Sequence, residues 1–261
     1  MINNSCIFVV IKNEHQYLDD WLKYHLDIGV NHLFVFEDVD SKTHKDITDK
    51  YDNVTLNNIG CLFDNIHEVK SQKGFQKKYI KRGLSYIKNN FNYDWCFVLD
   101  ADEFITIKGD LPTILDRYKD YDALILQWEN YGCSGHIKKP IYDKPIWEIY
   151  TDKCGYTSYD RKYCKCTKVC YNMNTFKDKF VIGNHAALCR FVKPDFSRNF
   201  SKPVFGDIYL RHYITKSYEE YLWKLNERGM MYKNHRGIND FFEMHPQLNE
   251  DIVKEIYSKN K

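Results

Sequence analysis

The chain has 261 residues, enough for one large α/β domain or two small ones. Lysine and arginine (38) nearly balance aspartate and glutamate (36), and the net charge of +2 argues against a nucleic-acid-binding protein. No apolar run reaches the roughly 18 residues of a membrane-spanning helix, and the N-terminus has no signal-peptide pattern. We therefore expect a cytoplasmic protein without a transmembrane segment, working at the cytosolic face of a membrane if its acceptor is membrane-bound. The nine scattered cysteines predict reduced thiols.

The first elements predict a strand–helix–strand unit. CIFVVI (6–11) and HLFVF (32–36) are apolar runs typical of buried strands. Between them Asn13 is expected to cap a helix whose apolar positions recur at helical spacing until Gly29. A crossover of this kind implies parallel pairing, so the polar turns after the two strands are expected at one edge of the sheet.

The next segment predicts two helices around one strand. A weak helix is expected at 43–51, a strand at 53–56 and a loop up to 71. From Gln72 the spacing of Phe75, Tyr79, Leu84 and Ile87 predicts a second helix. Its bases are expected on a solvated face, the alternative being that one of them meets a nucleotide phosphate; they are Lys73, Lys77, Lys78, Lys81 and Arg82.

The stretch WCFVLDADEF (95–104) carries the strongest chemical signal. Five apolar residues predict a strand buried on both faces, and three acids follow within four positions. If the chain stays extended, Asp100 and Asp102 point to the same side. Carboxylates at the carboxyl edge of a parallel sheet suit a hard cation such as Mg²⁺ or Mn²⁺. The alternative is that these acids are ordinary turn or cap residues.

The C-terminal half contains further strands and one clear helix start. We expect a helix capped by Asp110, a strand at 123–128 ending at Glu129, and a hairpin of strands at 167–171 and 180–182. Residues 137–160 predict an irregular substrate lid. The spacing of four cysteines does not match a usual zinc site; they are Cys154, Cys164, Cys166 and Cys170. A capping box at Ser217 predicts a helix that continues to Gly229.

Four segments in this order resemble a known family. They are VIKNE (10–14) with the helix that follows, LDADEF (99–104), WENYGCSG (128–135), and HYITKS (212–217) with its helix. Together they resemble the DUF23-type, or family 2-like, glycosyltransferases. The resemblance implies an α/β GT-A-type (nucleotide-diphospho-sugar transferase) fold, with a mainly parallel sheet flanked by helices. It also implies one domain over 1–261, with a donor-binding half (about 1–105), an acceptor half (about 106–235) and a helical tail (236–261).

The resemblance also implies a chemistry. The chain is expected to be a hexosyltransferase-like enzyme that uses Mn²⁺ or Mg²⁺ and a nucleoside-diphosphate sugar, with a UDP-sugar favoured. The acceptor would be a glycan or a protein- or lipid-linked hydroxyl, and no nucleic-acid partner is expected. The alternatives are a nucleotidyl- or phosphoryl-transfer enzyme, and a catalytically inactive relative that binds a nucleotide or a glycan.

The resemblance, together with the chemistry of sugar transfer, suggests candidate residues. Asp100 and Asp102 correspond to the metal and diphosphate site, with His212 as a third metal ligand and His185 as its rival. Donor-binding residues would be Lys12, Asn13, Glu14, Asp38, Asp100 and Lys216, with Asp40 as an alternative to Asp38. If the reaction inverts the anomeric centre, a base is needed, and we expect Glu129, with Glu103 and Asp207 as alternatives. Whether the reaction inverts or retains configuration stays open.

Overall fold

The structure is a computed structural model that describes residues 4–70, 74–154, 167–181, 185, 187, 189, 206–226 and 237–259. Its strands are β1 (Ser5–Ile11), β2 (His32–Glu37), β3 (Val54–Asn58), β4 (Trp95–Leu99), β5 (Glu103–Ile107), β6 (Ala123–Tyr131), β7 (Thr167–Asn172) and β8 (Ile208–Tyr213). Its helices are α1 (Leu18–Asp27), α2 (Lys45–Thr48), α3 (Ile66–Lys70), α4 (Phe75–Asn90), α5 (Leu111–Asp116), α6 (Ile146–Ile149), α7 (Tyr218–Asn226), α8 (Ile238–Met244) and α9 (Glu250–Lys259).

The strands form one sheet in the order β3-β2-β1-β4-β7-β6-β8-β5. The first four strands pair in parallel, as the predicted crossover requires. β7 then enters between β4 and β6 and runs antiparallel to both. The predicted α/β class, with a mainly parallel sheet flanked by helices, is confirmed.

Several local predictions were wrong. Asn13 does not cap α1, whose first turn is preceded by Tyr17; Asn13 instead has a positive φ of 54° in the turn after β1. β6 continues to Tyr131, so Glu129 lies inside this strand and not after its end. Residues 178–180 form a 3-10 turn, and the predicted hairpin partner of β7 is replaced by β4 and β6.

Other predictions hold or fall outside the described residues. Asp110 caps α5 by accepting the backbone N–H of Thr113 at 3.0 Å. The capping box at α7 is present, because Ser217 Oγ accepts the N–H of Glu220 and Glu220 Oε2 accepts the N–H of Ser217. Cys164, Cys166, the end of the predicted lid (155–160) and the predicted helix end at Gly229 lie outside the described residues.

The chain divides into two compact units. The first comprises Met1–Trp128 and Lys165–Leu210, and the second Glu129–Cys164 and Arg211–Lys261. The core of the first unit contains the rings of Phe8, Phe34 and Phe36 packed against α4. The second unit has its own core, formed by residues such as Tyr221, Phe241 and Met244. The single-domain organisation stays a prediction. Within the described residues, the helices are all too short or too polar to cross a bilayer.

Candidate functional site at the carboxyl edge of the parallel strands

The order in which the chain adds parallel strands to the sheet reverses at β1. The chain adds β2 and β3 on one side of β1 and then returns to place β4 on the other side. In open α/β sheets, ligands bind outside the carboxyl ends of the strands at such a switch point. Lys12 follows β1 and Asp100 follows β4, so both predicted donor-binding residues follow strands that flank the switch point.

The acids after β4 lie in a tight turn. The N–H of Glu103 donates to the carbonyl of Asp100 at 3.1 Å, and β5 starts at Glu103. The chain therefore does not stay extended through Asp102, and the condition under which Asp100 and Asp102 would point to the same side is not met. Glu103 Oε2 also accepts the backbone N–H of Asp100 at 2.9 Å. The third acid of the motif thus stabilises the turn that presents the first two.

A buried lysine lies directly beneath this turn. Lys168 Nζ is 2.6 Å from Asp100 Oδ2 and 3.5 Å from Glu103 Oε2. The side chains of Lys168 and Glu103 have no exposed surface, whereas that of Asp100 is 46% exposed. Sequence reasoning missed Lys168, because a single lysine in a short strand usually faces solvent.

The three groups titrate very differently. Burial alone would raise the pKa of Asp100, but the ammonium of Lys168 outweighs it and lowers that pKa below its ordinary value. Burial raises the pKa of Glu103 well above its ordinary value, and Asp100 and Asp102 add to the rise against the effect of Lys168. Burial would lower the pKa of Lys168, but the carboxylates of Asp100 and Glu103 raise it. Because the side chain of Glu103 has no exposed surface, it cannot meet an acceptor hydroxyl, which argues against its role as the alternative base.

His185 belongs to the same neighbourhood. Its Nδ1 lies 2.7 Å from the carbonyl of Thr167, and its ring packs edge-on against Trp128 at 5.3 Å between centroids. Because a carbonyl can only accept, Nδ1 carries the proton and the lone pair of the neutral ring is on Nε2. His185 also helps to lower the pKa of Asp100 electrostatically. The rival ligand therefore lies in the same unit as Asp100.

The turns after β1 and β2 are tied to each other. Asn13 N–H donates to Ser41 Oγ, and Asn13 Oδ1 accepts the N–H of Lys42, both at 3.0 Å. Buried His44 accepts the N–H of Glu14 at its Nε2 (3.0 Å) and hydrogen-bonds to Glu37 Oε1 through Nδ1 (2.9 Å). Since the N–H of Glu14 can only donate, His44 is the neutral Nδ1–H tautomer. This pairing fixes the backbone of the predicted donor loop.

Asp38 and Asp40 share one lysine. Lys70 Nζ lies 2.6 Å from Asp38 Oδ1 and also pairs with Asp40 Oδ2. Asp38 Oδ1 additionally accepts the N–H of Asp40 at 3.0 Å. The side chain of Asp38 is 17% exposed and that of Asp40 is 59% exposed, so Asp38 is the more constrained of the two candidates.

Three further predicted residues, Glu129, His212 and Lys216, lie in the second unit, whereas Asp207 lies in the first and pairs with Arg117 at 2.9 Å. Glu129 pairs with Lys153 through Oε1 and accepts the hydroxyl of Tyr131 through Oε2 at 2.9 Å. His212 Nδ1 lies 3.1 Å from Asn130 Oδ1. Lys216 is fully buried, and its charge helps to lower the pKa of Glu220 against the effect of burial. Each of these three side chains therefore interacts with residues of its own unit.

The donor chemistry of the turn suits a hard cation. Asp100 and Asp102 offer carboxylate oxygens, and among the described residues no group of three or more His, Cys, Asp or Glu side chains forms a metal cage. Mg²⁺ and similar ions are usually held by one or two carboxylates together with substrate phosphates and water. The two aspartates therefore fit a cation that is bound together with a phosphate ligand.

Comparison with known proteins points to glycosyltransferases. No family model matches the chain. A glycosyltransferase family 92 protein of rice (Oryza sativa subsp. japonica) is 23% identical over 145 residues, which are 53% of this chain and 23% of that protein. The chain thus spans less than a quarter of the length of this curated relative. This similarity confirms the glycosyltransferase resemblance seen in the sequence.

Two solved structures are distantly similar to this chain. The first is glucosyl-3-phosphoglycerate synthase from Mycobacterium tuberculosis, crystallised with Mn²⁺, UDP and phosphoglyceric acid. It is 12% identical, covers 49% of this chain and 43% of its own, and has a TM-score of 0.32. The second is a mycobacterial protein with 12% identity, coverage of 52% and 43%, and a TM-score of 0.34. Likenesses at this level carry no conclusion about function.

Proposed function

We propose that the chain is a metal-dependent, hexosyltransferase-like glycosyltransferase of GT-A type. It would move a sugar from a nucleoside-diphosphate sugar, with a UDP-sugar favoured, to a hydroxyl of a glycan or of a protein- or lipid-linked acceptor. The observation that carries the proposal is the Asp100–Asp102 turn, which follows β4 at the switch point of the parallel strands. The similarity to a glycosyltransferase family 92 protein supports the same reaction class.

Each residue has a proposed role. Asp100 and Asp102 would hold Mn²⁺ or Mg²⁺ together with the donor diphosphate, with His212 or His185 as the third ligand. A divalent cation held there would supply positive charge to stabilise a departing nucleoside diphosphate. Lys12, Asn13 and Glu14 form the donor loop, Asp38 orients the nucleoside and Lys216 neutralises a phosphate. Glu129 accepts the proton of the acceptor hydroxyl if the reaction inverts.

The first test measures thermal unfolding with UDP, GDP, CDP and ADP, each with and without Mn²⁺. A nucleotide at about a hundredfold excess over its Kd adds roughly 2.7 kcal/mol of stability, equal to a shift of roughly 5–10 °C. We expect this shift for UDP, only with Mn²⁺, and its loss in Asp102→Asn. Asp64→Asn, a change of an exposed aspartate of the same unit, is the matched control and should behave as wild type. No shift with any nucleotide would contradict the proposal.

A second test separates the reaction classes. The protein is incubated with Mn²⁺ and a panel of UDP-hexoses, and the nucleotide products are resolved by chromatography. A glycosyltransferase, with water replacing the acceptor, releases UDP and free sugar. A nucleotidyl- or phosphoryl-transfer enzyme releases UMP and a sugar 1-phosphate. Binding without either product identifies an inactive relative.

A further inference from the structure

Lys168 is enclosed by its neighbouring strands. β7 is paired on both sides, and the register places Lys168 opposite Leu126 of β6. No part of its side chain is exposed. Burying an ammonium group costs several kcal/mol unless it is well paired. The two carboxylates that pair with it, Asp100 and Glu103, belong to the turn of the proposed donor site.

These contacts hold Asp100 at two points. Lys168 fixes the side chain through Oδ2, and Glu103 fixes the backbone by accepting the N–H of Asp100. Glu103 is itself 3.5 Å from Lys168, which closes a ring of three groups around one turn. Because Lys168 and Glu103 are buried while Asp100 is 46% exposed, the carboxylate of Asp100 faces an internal cation on one side and solvent on the other.

We propose that Lys168 is a positioning residue, which orients the Asp100 carboxylate for the cation and diphosphate of the donor. This inference rests on the proposed function. Lys168 does not touch the donor, because it is fully buried; it acts through Asp100. A carboxylate that is already oriented loses less conformational freedom when it binds a ligand, so the affinity for the donor is higher.

Two other roles make different predictions. A lysine that served only as a structural counter-ion would affect stability and leave ligand affinity unchanged. A lysine that only repelled the cation would weaken binding, so its removal would tighten the affinity. If Lys168 positions Asp100, its removal weakens UDP binding in the presence of Asp100 and has little effect once Asp100 has been replaced.

The experiment is a double-mutant cycle on the affinity for UDP in excess Mn²⁺, measured by calorimetry on the whole chain. We expect Lys168→Met to weaken UDP binding at least tenfold in the wild-type background and less than twofold in the Asp100→Asn background. Lys50→Met removes an exposed lysine that pairs with Asp19 at 3.3 Å in the same unit, and it should leave the affinity unchanged. Circular dichroism establishes that each variant is folded.

The measured UDP affinities either support or overturn the positioning role of Lys168. Unchanged or tighter binding in Lys168→Met, or an equal loss in both backgrounds, overturns the positioning role while the proposed function stands. A wild-type protein that does not bind UDP with Mn²⁺ overturns both. If Lys168→Met does not fold, Lys168→Gln keeps a donor near Asp100 and should weaken binding at least threefold. Unchanged binding in Lys168→Gln would overturn the positioning role as well.

Discussion

The buried histidine of α1 should make the protein sensitive to acid. His25 has no exposed surface, its Nδ1 hydrogen-bonds to the carbonyl of Trp21 at 2.8 Å, and its Nε2 accepts the N–H of Ile105 at 3.3 Å. Both ring nitrogens are therefore used by a neutral imidazole. Burial lowers the pKa of His25 from 6.5 to about 3, although the hydrogen bond to Trp21 opposes this.

The sign and size of the effect follow from these two values. Because the pKa in the folded state is lower, the unfolded state binds a proton that the folded state does not. Stability is thus fully present above the ordinary pKa of 6.5 and is lost as the pH falls towards 3. Between pH 7 and pH 5 the loss from His25 alone is about 2 kcal/mol.

The assay is urea-induced unfolding of wild type and His25→Gln at pH 7 and pH 5. Glutamine keeps hydrogen-bonding groups but does not titrate, so we expect its loss of stability over this range to be smaller than that of wild type by about 2 kcal/mol. His67→Gln, a change of an exposed histidine, is the control and should follow wild type. Equal losses in wild type and His25→Gln would refute the argument.

Three further predictions concern the donor loop, the proposed base and the core. Asp38→Asn should weaken UDP binding at least fivefold in calorimetry but leave the binding of Mn²⁺-pyrophosphate unchanged. Asp40→Asn, at a more exposed position, should have little effect on UDP binding. If Asp40→Asn weakened UDP binding more than Asp38→Asn, the role would belong to Asp40. If the reaction inverts, Glu129→Gln should lower the rate of UDP release at least a hundredfold without changing the UDP-induced thermal shift. The control, Glu148→Gln at an exposed position, should leave both the rate and the shift unchanged. Gly83→Ala should lower the free energy of unfolding by about 1–3 kcal/mol, because the new Cβ would lie 2.2 Å from the buried ring of Phe8. An equal or higher free energy of unfolding would show that the ring can move away without cost.

Local patterns predicted the first unit well. β1, β2 and β4 are continuous apolar runs, and such runs can be recognised without knowing their neighbours. The spacing of apolar residues likewise predicted α4. These elements depend on short-range chemistry, which the sequence contains in full.

Features that depend on distant partners could not be predicted. β7 was expected in a hairpin with 180–182, but it pairs with β4 and β6, which are separated from it by dozens of residues. That pairing buries Lys168, which no local pattern in TKVCYN indicates. Similarly, β6 extends past its apolar run to Tyr131, where it forms a bridge with Lys153. Glu129 consequently lies in a strand and pairs with this lysine.

The motif after β4 shows why residue type alone does not define a role. The sequence DADE presents three acids that look equivalent, but the fold gives each a different environment. Asp100 pairs with Lys168 and has a lowered pKa, Asp102 is half-buried, and Glu103 is fully buried with a raised pKa. A charged carboxylate is needed to hold a cation, and a buried acid that hydrogen-bonds to the backbone is suited to fixing a turn. In this motif, burial and the contact with Lys168, 68 positions beyond Asp100, therefore distinguish the proposed cation ligands from the glutamate that supports the turn.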